Sequence, residues 1–402
     1  NANAAPWKRV SIDTGMPSSN ISARAASMAR TAWPNAKPGA GLNDKVTAGY
    51  WATWVMLSKA GFSTTWANDD KGTCAPPVAG TYKRCKAAGP RRWALATSST
   101  TRYWLLWVKM VEIKLSQGAK PGHGGVLPGP KVTPEIAQAR GVPEGVDCVS
   151  PAAHSRFSTP LELLAFVQEL RTLSQGKPVG MKLCIGHPWE WFGIVHAMLH
   201  SGIRPDFIVI DGAEGGTGAA PLEFSDHMGT PMQEGLRLVH NTLVGVGLRE
   251  HIRLGASGKI ISAFDVARTL ALGADWCNSA RGFMFALGCL QAQTCHTGNC
   301  PTGVTTQDPK RQIALVVPDK AQRVLHFHHH TLEALKELLE AAGLHQPQDL
   351  ALRHIMRRVS DTESKPLSEL FTQLPANALL EGAGALPAPF NQYPMASASR
   401  FA

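Results

Sequence analysis

Glutamate is missing from the first quarter of this chain: none occurs before Glu112. Residues 1–107 hold 14 Lys and Arg against 4 Asp, a balance of +10. The remaining 295 residues carry 26 basic and 26 acidic groups, so the formal charge of +10 belongs wholly to that first segment. A basic nucleic-acid-binding face on the main body is therefore not supported. No run of eighteen apolar residues is present, which leaves out a membrane-spanning helix, and no signal-peptide pattern is read. The 8 cysteines form no disulfide framework, so a reducing, cytoplasmic compartment is expected. No G-x-G-x-x-G opens the first β/α unit, which counts against a Rossmann dinucleotide fold.

What the first segment does have is tryptophan. Eight of the 11 (Trp7, Trp33, Trp51, Trp54, Trp66, Trp93, Trp104 and Trp107) lie there, without a sustained helical or strand period. Disordered segments are poor in aromatics, so that label fits badly. Two readings of residues 1–107 stay open. One is an unusual basic extension; the other is out-of-frame text joined to a true domain near Val108.

From Lys109 the text changes. Strands are read at 109–116, 179–185, 206–211, 252–256 and 275–280. Helices are read at 133–140, 160–174, 191–200, 232–246, 263–272, 282–289 and 320–342. In Pro160–Ser174 the residues Leu161, Leu164, Val167, Leu170 and Leu173 make one apolar face. Short strands alternating with helices define an α/β class with parallel β/α units. A (β/α)8 barrel lacking its N-terminal strands is the expected fold, with the site at the C-terminal ends of the strands. Three regions follow: 1–107, the barrel at 108–373, and a Pro-, Ala-, Ser- and Gly-rich tail at 374–402 that wraps the surface or lies loose.

Three glycine-rich loops carry candidate chemistry. Asp211–Ala220 (D-G-A-E-G-G-T-G-A-A) and Gly255–Lys259 (G-A-S-G-K) each end a strand, where backbone amides can cradle a phosphate. Ser116–Gly125 (S-Q-G-A-K-P-G-H-G-G) adds Lys120 and His123. Lys182 stands between Met181 and Leu183 in a buried-type strand, where a cation can stabilise a reduced, anionic flavin. Arg140 reads either as a carboxylate clamp or as a helix C-terminal charge. His326 and His330 are four apart on a helix; with no acidic ligand seen on that face, surface histidines are the expected reading.

Cys289, Cys295 and Cys300 are separated by five and then four residues in the loop 288–308. Gly298, Pro301 and Gly303 turn the backbone there. Three thiolates on a tight loop suit an iron–sulfur cluster. Zinc wants a fourth ligand, and ordinary buried thiols remain the other alternative.

The runs K-M-V-E-I-K-L-S-Q-G-A-K-P-G-H-G-G-V-L-P-G, D-G-A-E-G-G-T-G-A-A and C-x5-C-x4-C-P-x-G-V-x-T-Q together resemble the FMN-binding synthase domain of glutamate synthases. The likeness is to the stand-alone bacterial and archaeal type, and it covers about Val108 to Gln373. It implies FMN, a [3Fe–4S] cluster, and reduction of 2-iminoglutarate, formed from 2-oxoglutarate and ammonia, to glutamate. By that resemblance Cys289, Cys295 and Cys300 ligate the cluster, and Gln117 and Lys182 contact the flavin ring. Gly215, Gly216 and Thr217 line the flavin and substrate pocket. Ser257, Gly258 and the backbone around Arg281–Gly282 take the FMN phosphate, while Lys120 and Arg140 hold the 2-oxoglutarate carboxylates. The pattern departs at His123, where the family has Glu, and at Val126, where it has Gln, which leaves the substrate open. The family's first barrel strands and its N-T-G-E-G loop are not read before Lys109. No glutaminase domain or NAD(P)H-binding segment is read either. Ammonia, free or glutamine-derived, and an electron donor such as ferredoxin or a reductase subunit are the expected partners.

Overall fold

The computed structural model describes residues 55–58 (backbone only), 108–215, 220–381 and 385–401. Its main sheet has six strands: β1 (Val55–Ser58), β2 (Val111–Lys114), β3 (Val179–Leu183), β4 (Phe207–Asp211), β5 (Arg253–Ser257) and β6 (Trp276–Ser279). They lie side by side in the order β1-β6-β5-β4-β3-β2. β2 to β6 are parallel, and β1 joins β6 antiparallel, with Val55 opposite Ser279. The five parallel strands follow one another in chain order with no reversal. A doubly wound sheet would reverse at a switch point, so this is the singly wound arrangement of a β/α barrel, incomplete among the described residues.

The described helices of seven residues or more are α1 (Pro134–Arg140), α2 (Pro160–Leu173), α3 (Pro188–Ser201), α4 (Met232–Gly245), α5 (Ala263–Ala271), α6 (Arg281–Leu287) and α7 (Val317–Ala341). Local chemistry sets their starts. Thr159 and Glu162 form a capping box at α2, and Ser262 and Asp265 another at α5, each satisfying amides the first turn leaves unpaired. β3 and β4 are buried at every position, as expected of parallel strands covered on both faces.

The two faces are filled differently. On the outer face Met181, Ile208, Ile210 and Leu254 pack with Leu163, Val167, Phe192, Leu236 and Leu270 of the helices in the main core. On the inner face Phe207, Val209 and Trp276 make a separate cluster backed by Met110. Strand register explains the fit: Gly180 lies beside Phe207, and Gly255 beside Trp276. A Cβ on Gly180 would stand 2.4 Å from the Phe207 ring, and one on Gly255 2.4 Å from the Trp276 ring. Two strand glycines thus seat two large rings, which close the N-terminal end of the interior. Gly255→Ala is expected to lower unfolding free energy by about 1–3 kcal/mol in urea titrations. Overpacking a filled core outweighs the ~0.5–1 kcal/mol that alanine gains over glycine in a strand.

β2 is the edge of this sheet, and its Glu112 and Lys114 are exposed. The tail is not loose where it is described. Phe390 and Tyr393 are buried against Phe192 of α3, and the Tyr393 carbonyl lies 2.9 Å from His196 Nε2. Two aromatics among the small residues supply the apolar area that anchors it.

Candidate functional site

At the C-terminal ends of the strands the inner face turns from apolar to charged. Two residues beyond Gly180 stands Lys182, and Asp211, Ser257 and Asn278 end the matching rows of β4, β5 and β6. Asp211 is the hub. Lys182 Nζ lies 2.9 Å from its Oδ2, which also accepts the Gly118 amide at 3.0 Å. Its Oδ1 accepts the Ser257 hydroxyl at 2.5 Å. Both ions are less than a tenth exposed, so solvent screens this pair little.

The Gly118 bond draws the loop after β2 over the strand ends. A Cβ on Gly118 would fall 1.9 Å from the Gly212 carbonyl oxygen, so only glycine allows this approach. Gln117 is half-buried and Lys120 is 6% exposed. Lys120 makes no ion pair or side-chain hydrogen bond among the described residues. A buried ammonium so placed can pair with an anion. Beside Ser257, Asn278 Oδ1 is buried with no hydrogen-bond partner among the described residues.

The loop after β4 gives Gly215, whose amide donates to Gly212 O at 2.8 Å; Gly216 and Thr217 lie outside the described residues. Glu214 caps α4, both carboxylate oxygens lying within 3.0 Å of the Met232 amide, and burial raises its pKa. The Ser257 hydroxyl is committed to Asp211, so a phosphate there meets backbone rather than that side chain. Gly258 has φ 146°, and its Cβ would be 3.0 Å from Met232 Cβ. Lys259 turns away to the Asp226 carboxylate at 3.1 Å. Arg281 and Gly282 open α6, where a Gly282 Cβ would be 2.6 Å from the Phe327 ring of α7. Arg140 sits exposed in the last turn of α1, and no described contact joins it to the strand ends. His123 is exposed and edge-on to Phe224 at 5.3 Å, and Val126 is 40% exposed.

Cys184, just past β3, is chemically silent. Burial first, then the nearby Asp211 charge, push its thiol from 9.0 up to about 12. The unfolded chain therefore ionises first, and this contribution to stability, complete below about pH 9, is lost as pH climbs toward 12. At pH 8 the folded protein should leave Cys184 unalkylated by iodoacetamide, and urea should expose it, as peptide mass spectrometry would read.

Cys289, Cys295 and Cys300 all carry free thiols. Burial raises the Cys300 thiol, but hydroxyl and amide groups of Thr305 and Thr302 outweigh it and bring the thiol down to about 7. The loop turns through positive φ at Gln291, Gln293, Gly298 and Gly303, and a Cβ on Gly303 would be 2.2 Å from the Arg311 carbonyl oxygen. Among the described residues no group of three or more His, Cys, Asp or Glu is gathered to hold a single metal ion. The donors present are three free thiols, one of them lowered, the ligand type that iron–sulfur clusters use. His329 and His330 pair instead with Glu333, at 3.0 and 3.1 Å. That carboxylate one turn along α7 is absent from the sequence reading of this face.

Asp211 and Asn278 have no role in the sequence reading. Their signal is an Asp ending the apolar strand F-I-V-I-D, and polar residues two beyond inward-facing rings.

The singly wound sheet and the charged strand ends define a barrel-type β/α protein with its site at the C-terminal face. A family profile described as "Conserved region in glutamate synthase" matches residues 95–345, and the chain belongs to that family. It is 44% identical over 254 residues to the glutamate synthase large subunit-like protein YerD of Bacillus subtilis, covering 63% of this chain and 48% of that one. It is 39% identical over 248 residues to the archaeal glutamate synthase [NADPH] of Methanocaldococcus jannaschii, covering 61% and 48%. To the ferredoxin-dependent glutamate synthase of Antithamnion sp. it is 33% identical over 279 residues, covering 69% and 18%. The chain thus spans about half the length of the first two relatives. Among solved structures, a flavocytochrome b2 double mutant with pyruvate bound superposes with TM-score 0.36 at 14% identity, over 72% of this chain and 56% of that one. No helix among the described residues is long and apolar enough to cross a membrane.

Proposed function

We propose that this chain carries the flavin half of a glutamate synthase reaction, an oxidoreductase step in which 2-iminoglutarate, from 2-oxoglutarate and ammonia, is reduced to glutamate. The observation that carries this reading is two buried cations: Lys182, held by Asp211 at the strand ends, and Lys120 in the loop after β2, which has no ion pair among the described residues. FMN suits this site because Asn278 Oδ1, buried with no partner among the described residues, can accept a hydrogen bond from it. Bound FMN would supply hydride chemistry. Around it, Lys182 and Gln117 would bind the ring and Gly215 would line the pocket; the resemblance adds Gly216 and Thr217, which lie outside the described residues. Ser257, Gly258, Arg281 and Gly282 offer the phosphate cradle. Lys120 orients one carboxylate of the oxo-acid; Arg140, exposed on α1, is assigned the other by the family resemblance alone.

Cys289, Cys295 and Cys300 would hold a [3Fe–4S] cluster, which supplies one-electron transfer from a ferredoxin or a reductase subunit. The relatives named for NADPH and for ferredoxin support such a donor. Ammonia arrives free or from glutamine through a partner. Aerobically purified protein should show a flavin absorbance band and bound iron, and should form glutamate from 2-oxoglutarate, ammonia and a reduced donor. Protein that takes up neither FMN nor iron after reconstitution would overturn the proposal.

A further inference from the structure

One cation outside the strand-end site is tied to the cysteine loop. Lys131 ends the single helical turn Gly129–Lys131, far in sequence from that loop. Its Nζ donates to the carbonyl oxygen of Cys295 and, at 2.9 Å, to that of Thr305. These two carbonyls flank Cys300, so the ammonium grips both sides of the segment that presents it.

The base of this grip is rigid. The Lys131 amide donates to Pro128 O at 2.9 Å and the Gly129 amide to Asp147 Oδ1 at 2.6 Å. A Cβ on Gly129 would stand 2.3 Å from Gly145 O, so the turn is pressed against its neighbour. The loop is braced on its own side too: Thr306 bonds Gly298 O through its hydroxyl, and buried Gln312 donates to Thr306 O at 2.7 Å. Lys131 is half-buried. An ammonium has three donors, and two carbonyls use two of them. The third hydrogen is left over; burial lowers the Lys131 pKa, and the nearby Cys295 and Cys300 oppose that shift.

We propose that Lys131 is a positioning residue: it latches the cysteine loop and, resting on the reading that the loop holds an iron–sulfur cluster, favours the reduced cluster. One electron from the donor would add one negative charge to the iron–sulfide core held by these thiolates, and a half-buried cation gripping their loop lowers the free energy of that state. The latch also joins the loop to the excursion that begins with Gln117 and Lys120, since Lys131 and those residues lie on one connection between β2 and α2.

The test uses the full chain reconstituted anaerobically with ferrous iron and sulfide, as wild type, K131M and K131R. Iron and sulfide per chain, a dithionite titration followed by electron paramagnetic resonance, and amide exchange over residues 295–306 are measured. For K131M, exchange should quicken at least tenfold, and the cluster equilibrium should shift toward oxidised about tenfold, close to 59 mV for one electron. K131R, which keeps the charge, should recover most of the potential. K131M with wild-type metal content, potential and exchange rates would overturn the proposal. If wild type takes up no iron, the cluster reading fails, and exchange in the unloaded K131M and wild-type proteins still decides whether Lys131 latches the loop.

Discussion

Asp211→Ala should cost about 3–5 kcal/mol of unfolding free energy, the usual penalty for removing one partner of a buried ion pair. Lys182 is 7% exposed and would lose its carboxylate, while the Gly118 amide and the Ser257 hydroxyl would lose their acceptor. A surface pair contributes about 0–1 kcal/mol, so a large loss distinguishes a hub from an ornament. Asp211→Asn keeps an acceptor of the same shape and should lose less, the difference reporting the charge alone. Urea unfolding followed by tryptophan fluorescence reads both. The alanine variant should also bind flavin poorly, because Gly118 no longer draws the Gln117–Lys120 loop over the strand ends. A loss below about 1 kcal/mol for Asp211→Ala would show that Lys182 finds another stabilising partner.

Lys120→Ala should behave in the opposite way. This ammonium is buried and has no carboxylate among the described residues, so no described ion pair offsets its desolvation. Removing it should leave the unfolding free energy unchanged or slightly raised. Binding of 2-oxoglutarate should weaken by about 1.5–3 kcal/mol, the value of a hydrogen bond to a charged group, which is roughly 10–150-fold in Kd. Calorimetry on the flavin-loaded protein measures the second effect and urea the first. Loss of stability with unchanged oxo-acid affinity would move Lys120 from ligand binding to structure.

Most of the fold is legible because helix and strand periods are local. The strand read at 179–185 is Val179–Leu183, and the helix read at 232–246 is Met232–Gly245. The sequential, barrel-type order follows from alternation of elements. The seats under the rings were written as glycines inside strands, a sign of close approach, but which ring fills each seat depends on register. The site is less legible for the same reason. Asp211 meets Gly118 across 93 residues and Ser257 across 46, and no pattern within a single segment announces either bond. Lys182 reads from its strand as a cation aimed at a ligand; its fixed partner emerges only when β3 and β4 are side by side.

The grip of Lys131 spans 164 residues to Cys295 and 174 to Thr305. Closing so long a loop has to be preceded by the contacts in between, because its entropy cost is met only once the sheet is assembled. On the ribosome Lys131 emerges long before the cysteines, and the strands β3 to β6 fold between them. The loop therefore finds this anchor only once the sheet between them stands, long after Lys131 itself has emerged.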